Sequence, residues 1–392
     1  MRHLPRVENL THSLVGAALA ELALPRAAAT PQRRLFFWAG IIAANLPDAD
    51  LLYTGITPPP LGYLLHHRGH THTVLGLLVQ AALIGFVCLI PAVGRTVRLS
   101  QGRFWTLIAL CLASHVTLDW WNSYGVHPFY PLDMHWYYGD AVSIFEPWLW
   151  VVLGAAAVLN ARGDRSRLLL IALFAVAAVA LGAFGLIPRG ALLALVCVAA
   201  LVTWGMRSQT APRRSLAALV AATMFVAAMF GLKQVARART VASMPAPERN
   251  HLVDVILSPR PANPACWTAL AISAEAGAPE YVLRRAVVPM IPGVIACDAS
   301  VRTVQWDEPQ RQSLTALRAL AHDDCAARAW LQFGRAPMVG GGSISDARFG
   351  NSAAGNFSAM TLTRAPGANA CPAHLTDWVL PRSDLLAGPG GV

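Results

Sequence analysis

Apolar residues fall in long runs over the first 232 positions of the chain and in short, interrupted ones after them. Six runs approach the roughly 20 residues that a membrane-crossing helix needs: Val74 to Ala92, Phe104 to Trp121, Ile144 to Leu159, Leu168 to Ile187, Ala191 to Gly205 and Leu216 to Leu232. Ahead of them, Ser13 to Leu24 and Leu35 to Leu46 are shorter, which suits helices half-inserted or buried against others. From Lys233 onward Pro and Gly punctuate the pattern. Tyr281 to Val288 and Trp330 to Phe333 lean toward strand, Ser313 to Ala321 has a helical period, Gly340 to Gly342 reads as loop and Gly388 to Val392 as a disordered tail. The expected fold is therefore mainly α: a polytopic helical membrane domain, residues 1–232, followed by a smaller mixed α/β, β-leaning soluble domain, residues 233–392.

Composition strengthens the membrane reading. Of 392 residues, 55% are hydrophobic and 13% charged, against about 25% charged in an ordinary soluble domain. The net charge of +10 does not call for a nucleic-acid partner, because the basic residues sit mostly in short loops beside the apolar runs. Arg95/Arg98/Arg103, Arg162/Arg165/Arg167 and Arg207/Arg213/Arg214 mark alternate loops, whereas Asn122 to Ser143 holds no Arg or Lys. Short cytoplasmic loops are enriched in such residues, so Asn122 to Ser143 is expected outside. Continuing the alternation puts Asp48 to Thr73 and His12 on the same outer side and Arg26/Arg33/Arg34 inside, with only Arg2 and Arg6 running against it. The last helix then delivers the soluble domain to the periplasmic side of a bacterial inner membrane. The apolar start carries Glu21 and runs into Pro25 without a cleavage signal, so it is expected to be retained. Cys88, Cys111 and Cys197 lie in apolar runs; Cys266, Cys297, Cys325 and Cys371 fall in the soluble domain, where an oxidising compartment would permit any of three disulfide pairings.

The chemistry gathers at helix ends. Nine of the twelve histidines precede residue 136, most of them close to aspartates. His115 and Asp119, four apart on a helix, share a face. Pro47 is expected to end the segment before it, leaving Asp48 and Asp50 in extended chain with both carboxylates on one side. His67 and His72 flank a turn at Gly69, and His12 opens the first helix beside a Thr11 or Ser13 cap. Taken singly, a His or Asp at a helix end is more often a cap or a solvated residue. In combination, and all on one predicted face, these residues point to divalent metal. Four His and three Asp exceed one tetrahedral zinc, so two ions sharing an aspartate are expected, with zinc first and manganese or iron as other candidates. Such ions lower the pKa of a water to about 7 and supply a nucleophile. Arg68, with a planar fork suited to phosphate, is a candidate substrate clamp, the alternative being a salt bridge to one of the aspartates, and Asp140 or Glu146 is a candidate general base or a partner to a ligand His N–H.

Four motifs also carry a resemblance: Thr11-His12 to Gly16, Leu46-Pro47-Asp48-Ala49-Asp50, His67-Arg68-Gly69-His70-Thr71-His72, and His115 to Asp119. Together with Asn122 to Pro131 and Tyr138-Gly139-Asp140, they resemble the LexA-regulated, inner-membrane metal-dependent hydrolase family over roughly residues 9–150. That resemblance implies His12, Asp48, Asp50, His67, His72, His115 and Asp119 as the ligand set. Thr73 stands where Ser is common, and the long extension after Lys233 belongs only to some members. A similar His/Asp pattern in zinc-dependent phospholipases C is an analogy.

The expected function is a membrane-embedded metal-dependent hydrolase acting on a lipid or phosphoester at the extracytoplasmic face. The alternatives are an ion or proton-coupled transporter using the same residues, which would place its site nearer mid-membrane, and a non-catalytic metal-stabilised scaffold. The sequence leaves the oligomeric state unread. A cysteine placed between Asn122 and Ser143 should react with an impermeant thiol reagent on intact cells; labelling that requires lysis would reverse the topology.

Overall fold

The computed structural model describes residues 9–295, 297, 301–362 and 376–387; the tail Gly388 to Val392 lies outside these. A helical bundle comes first: α1 (Asn9–Ala23), α2 (Thr30–Asn45), the short α3 (Leu61–His66), α4 (Val74–Val87), α5 (Pro91–Arg98), α6 (Gln101–Trp120), α7 (Pro147–Asn160), α8 (Asp164–Ala183), α9 (Arg189–Met206) and α10 (Ala211–Ser243). A sheet-containing region follows, so the expected class, a helical membrane part followed by a mixed part, is the one observed.

Several expected runs differ in detail. Among the described residues, four helical stretches are long and apolar enough to cross a membrane, Thr30–Ile56 and α8 to α10, with a fifth if the segments either side of Thr73, bent by 69°, count together. Val74 to Ala92 is not one helix, because Pro91 opens α5 after a break at Cys88 to Ile90. The run from Ile144 yields only the 14 residues of α7. The Phe104 to Trp121 run does form a 20-residue helix, α6, yet His115 and Asp119 on its buried face make it more polar than a lipid-facing span. The bundle therefore has two layers. Short α1, α7 and polar-faced α6 fill the middle, while α4, α8 and α9 expose Leu78, Phe86, Val176, Val179 and Leu201. At one end stand the arginines, where Arg103 reaches the Leu24 carbonyl and Arg162 lies 3.9 Å from Glu21. At the other end α1 begins, α2 and α6 finish, and α4 and α7 start.

The α1–α2 crossing fixes that other end. A Cβ on Gly16 would sit 2.5 Å from the Gly40 carbonyl oxygen, and one on Gly40 would sit 2.6 Å from the Gly16 oxygen. Only two glycines allow this approach, and it sets His12 beside the end of α2.

Helix α10 runs 33 residues without a break, about 50 Å, well beyond a hydrocarbon core of about 30 Å. Its last turns pack on an antiparallel sheet of β1 (Leu252–Arg260), β2 (Asn263–Ser273) and β3 (Glu280–Pro289), with β4 (Gln305–Trp306) and β5 (Gln310–Ser313) both paired to β3. Then come α12 (Leu314–Asp323), preceded in the chain by the short α11 (Ala246–Asn250), and α13 (Cys325–Leu331). Trp330 to Phe333 was expected as strand; instead Asp324 caps α13 by accepting from the Ala326 and Ala327 N–H groups, and Trp330 is buried on that helix. Ser313 caps α12 in the same way, where the helical period was read. Gly341 and Gly342, at φ +57° and +73°, turn β6 (Pro337–Gly340) into β7 (Ser343–Asp346). Cys266 is bonded to Cys297, and Cys325 is also disulfide-bonded.

The apolar core is continuous across the two parts. One buried cluster joins Leu14, Trp150, Val226 and Met229 of the bundle to Leu257, Trp267 and Val288 of the sheet. A second joins Leu64, Leu65, Tyr124 and Trp136 to Tyr281, Trp330 and Phe333. Gly40→Val should force α1 from α2 at a cost of about 1–3 kcal/mol and lower the melting temperature in detergent, whereas Gly231→Ala, around which space is open, should not; equal melting of the two variants would contradict the crossing.

Candidate metal centre

All seven proposed ligands lie at one end of the bundle, the end away from the arginine-rich loops. The close group is Asp48, His72, His115 and Asp119. His72 Nε2 lies 3.1 Å from His115 Nε2, 3.1 Å from Asp119 Oδ2 and 3.6 Å from Asp48 Oδ1. His115 Nε2 lies 3.4 Å from each of the same two oxygens. Four ligands held about 2.0 Å from a central zinc would stand about 3.3 Å apart, and the observed separations bracket that value. The donor chemistry agrees. His115 Nδ1 faces the Ala44 carbonyl at 2.7 Å, and His72 Nδ1 faces Asp50 Oδ2 at 3.2 Å. Each ring can thus donate backward through Nδ1 and present the Nε2 lone pair to the cage, the arrangement of metal-bound histidine.

The local folds explain the convergence. Helical spacing projects His115 and Asp119 from one face of α6, as expected. The Asp48/Asp50 segment is different: it is a 3-10 helix, Leu46–Leu52, and not extended chain. Pro47 occupies the first turn, where its missing N–H costs nothing, so the two carboxylates diverge. Asp48 enters the cage, steadied by the Asn9 amide at 2.8 Å. Asp50 faces the other way and accepts from the Arg68 N–H at 2.9 Å, the Thr71 hydroxyl at 2.9 Å and the His67 ring at 3.1 Å. It orients two histidines and one turn. Asp48, Asp50 and His67 form a second, looser group sharing Asp48. His12 stacks on His115 at 4.0 Å, and its Nε2 lies 3.5 Å from Asp119 Oδ1. At the turn, the left-handed residue is Arg68, φ +59°, and not Gly69.

Arg68, Asp140 and Glu146, expected to act on substrate or, for the two carboxylates, to support a ligand His, are each already engaged by other groups. Arg68 is buried, with Nη2 2.9 Å from Asp119 Oδ1 and Nη1 3.0 Å from the Asp119 carbonyl. It steadies a ligand and offers no open fork. Asp140 is gripped on both oxygens, at 2.9 Å each, by Arg335 of the sheet region. Glu146 caps α7 through the Trp148 N–H and also accepts from Ala262; it lines a cavity of about 30 Å³ together with His12 and Asp119. Sequence reasoning missed Thr71, although it sits within the quoted motif, and also Arg335, Arg348 and Ala262, which no nearby pattern connects to the site. Arg348 holds the Ser123 and Tyr124 carbonyls at 2.8 and 3.2 Å. His127, between Trp136 and Trp378 at ring distances of 3.6 and 3.9 Å, is pushed down to about 3 by burial and stays neutral.

Comparison with known proteins gives a match over part of the chain. Residues 7–191 match the YdjM inner membrane protein family. The YdjM-like segment contains every candidate ligand and ends before the sheet begins. The chain is also 27% identical, over 163 residues, to the uncharacterized protein YfhP of Bacillus subtilis (strain 168); that similarity covers 39% of this chain and 46% of YfhP, so the chain spans about half the length of this relative. No solved structure matches. The family and the apolar helices together make this a membrane protein.

The Asp140–Arg335 pair ties the sheet region to the site's outer loop, and Arg335 also lies 3.0 Å from Asp254. Burial alone would raise the Asp254 carboxyl, but the adjacent Arg335 guanidinium overcomes this and holds it below the usual range. A depressed carboxyl contributes fully above its unfolded pKa of about 3.9, and that contribution is lost as pH falls through the folded value. Asp140→Asn should lower the melting temperature while leaving metal content intact, and the Asp254 contribution should vanish on titration below about pH 4. Loss of metal in Asp140→Asn would return that residue to the centre.

Proposed function

We propose that the chain is a metal-dependent hydrolase embedded in the inner membrane, acting on a lipid or phosphoester substrate at the extracytoplasmic face. The observation that carries this reading is the cage of two imidazoles and two carboxylates at tetrahedral separations. Zinc fits that donor set, with manganese or iron as alternatives. Such an ion would supply Lewis acidity toward water and toward the substrate oxygen.

This chain's own residues do the rest. Asp48, His72, His115 and Asp119 hold the ion; Asp50 fixes the tautomer of His72 and the ring of His67; Arg68 keeps Asp119 in place. His67, Asp50 and the shared Asp48 are the residues available to a second ion. With Arg68 engaged by Asp119, preference for a phosphoester loses its residue. A lipid is supported instead by the lipid-facing Val74 and Leu75, two and three residues past His72, both more than half exposed. The outer placement of the site and of the sheet region rests on the arginine distribution and agrees with the Cys266–Cys297 bond. The further likeness to LexA-regulated hydrolases belongs to this same proposal.

One observation favours a second reading. Four protein ligands closing a tetrahedron is the pattern of structural zinc, since catalytic sites keep a position for water, and His72 and His115 are fully buried. In the scaffold reading the ion only ties helix ends together. Asp48, with a side chain 12% exposed, is the cage's most open member and the ligand a substrate would approach. Elemental analysis of detergent-purified protein should find at least one equivalent of divalent metal, largely lost in His72→Ala and Asp119→Ala. A screen of phosphodiesters and lipid esters should give turnover that a chelator abolishes. Bound metal without turnover on any of them would favour the scaffold, and metal-free protein would end both readings.

A further inference from the structure

The role of the sheet region is open in everything above, and one contact speaks to it. Strands β1 and β2 are joined through Pro261 and Ala262, with Arg260 paired to Asn263. Pro261 suits the first turn position, but the second requires a left-handed residue. Ala262 stands there at φ +54°, a conformation that costs a non-glycine residue roughly 1–2 kcal/mol. Strain of this kind persists where the surroundings over-determine it. Here both polar groups of Ala262 are captured by the membrane part: its N–H donates to Glu146 Oε1 at 3.2 Å, and its carbonyl accepts from Trp148 Nε1 at 3.2 Å. Ala262 is 3% exposed, within the apolar cluster that spans both parts.

Glu146 is thereby held on one oxygen. Oε1 takes the N–H groups of Trp148 and Ala262, and Oε2 takes no protein hydrogen bond among the described residues. The carboxylate is 2% exposed and lines the cavity of about 30 Å³ beside His12, Asp119, Asn122 and Ser143. A fully buried polar atom among the cavity-lining residues also lacks a hydrogen-bond partner among the described residues: His12 Nδ1, on a ring 3% exposed whose other nitrogen lies near Asp119. A cavity needs about 10–15 Å³ and two or more polar partners to hold a water, and this one has both.

We propose that the sheet region completes the metal centre: the tip of its first hairpin fixes Glu146 so that Glu146 and His12 hold a water against Asp119. Glu146 is then a positioning residue acting through that water on a metal ligand. This rests on the metal reading and extends it, since the hairpin becomes part of the centre and not an appended module. Partners one step removed from a metal typically contribute about 10–100-fold in affinity.

The test uses the full-length protein in detergent, with cobalt(II) as the probe, its visible absorption band as the spectroscopic readout and its affinity by titration. Glu146→Gln keeps an acceptor oxygen for both N–H groups, so the cap and hairpin contact survive and the melting temperature should not move. It replaces the other oxygen by an NH₂ donor, so cobalt affinity should fall by roughly tenfold or more and the band should shift. Trp148→Phe leaves the carboxylate and frees the Ala262 carbonyl, and should weaken cobalt binding in the same direction. If Glu146→Gln unfolds, Trp148→Phe alone decides: unchanged cobalt binding overturns the proposal. So does a Glu146→Gln protein with the wild-type band and affinity. Wild-type protein that binds no cobalt removes the metal reading together with this inference, whereas wild-type binding with insensitive variants removes the inference alone.

Discussion

Two carboxylates and two imidazoles stand within hydrogen-bond distance of one another in a pocket almost closed to water. Left to themselves, the carboxylates would repel, and both Nε2 lone pairs would face a partner of the same kind. Burying such a group without a compensating charge costs several kcal/mol, so the arrangement suits a cation at its centre. The rest of the outer end can be understood as what holds those four groups in place. Asp50 and the Ala44 carbonyl accept from the far side of each ring, Arg68 neutralises the second oxygen of Asp119, and Asn9 steadies Asp48.

That cluster depends in turn on how closely the helices approach. The glycine pair at the α1–α2 crossing brings His12 to the end of α2, and the 3-10 turn that continues α2 separates the duties of Asp48 and Asp50. The bundle is covered at this end by a sheet region that shares its apolar core and reaches it through polar contacts that include Arg335 on Asp140, Arg348 on the carbonyls of Ser123 and Tyr124, and Ala262 between Glu146 and Trp148. The long helix α10 carries the chain out to that cover.

Much of this was legible from the residues. Helical spacing alone paired His115 with Asp119, and loop charge placed every candidate ligand on one side before any were seen together. Strand β3 and helix α12 lie where the β-leaning stretch and the helical period put them. What failed did so for local reasons. Pro47 can open a tight helix as readily as end one, so the Asp48/Asp50 geometry was misread. Trp330 has strand propensity, yet burial on a capped helix overrode it. Arg68 reads either as a substrate clamp or as the ion-pair partner of an aspartate, and only the fold decides for Asp119; Asp140 has the chemistry of an active-site group, and only the fold shows it already matched to Arg335. The contacts of Arg335 and Ala262 join segments more than a hundred residues apart, a distance at which periodicity and motif carry no information.

The central claim is a single ion bound by Asp48, His72, His115 and Asp119. X-ray absorption at the metal edge of the purified protein tests it most directly. The account predicts about four nitrogen or oxygen neighbours near 2.0 Å, with the outer-shell scattering of two imidazole rings. A spectrum showing sulfur neighbours, or one without imidazole scattering, would contradict it.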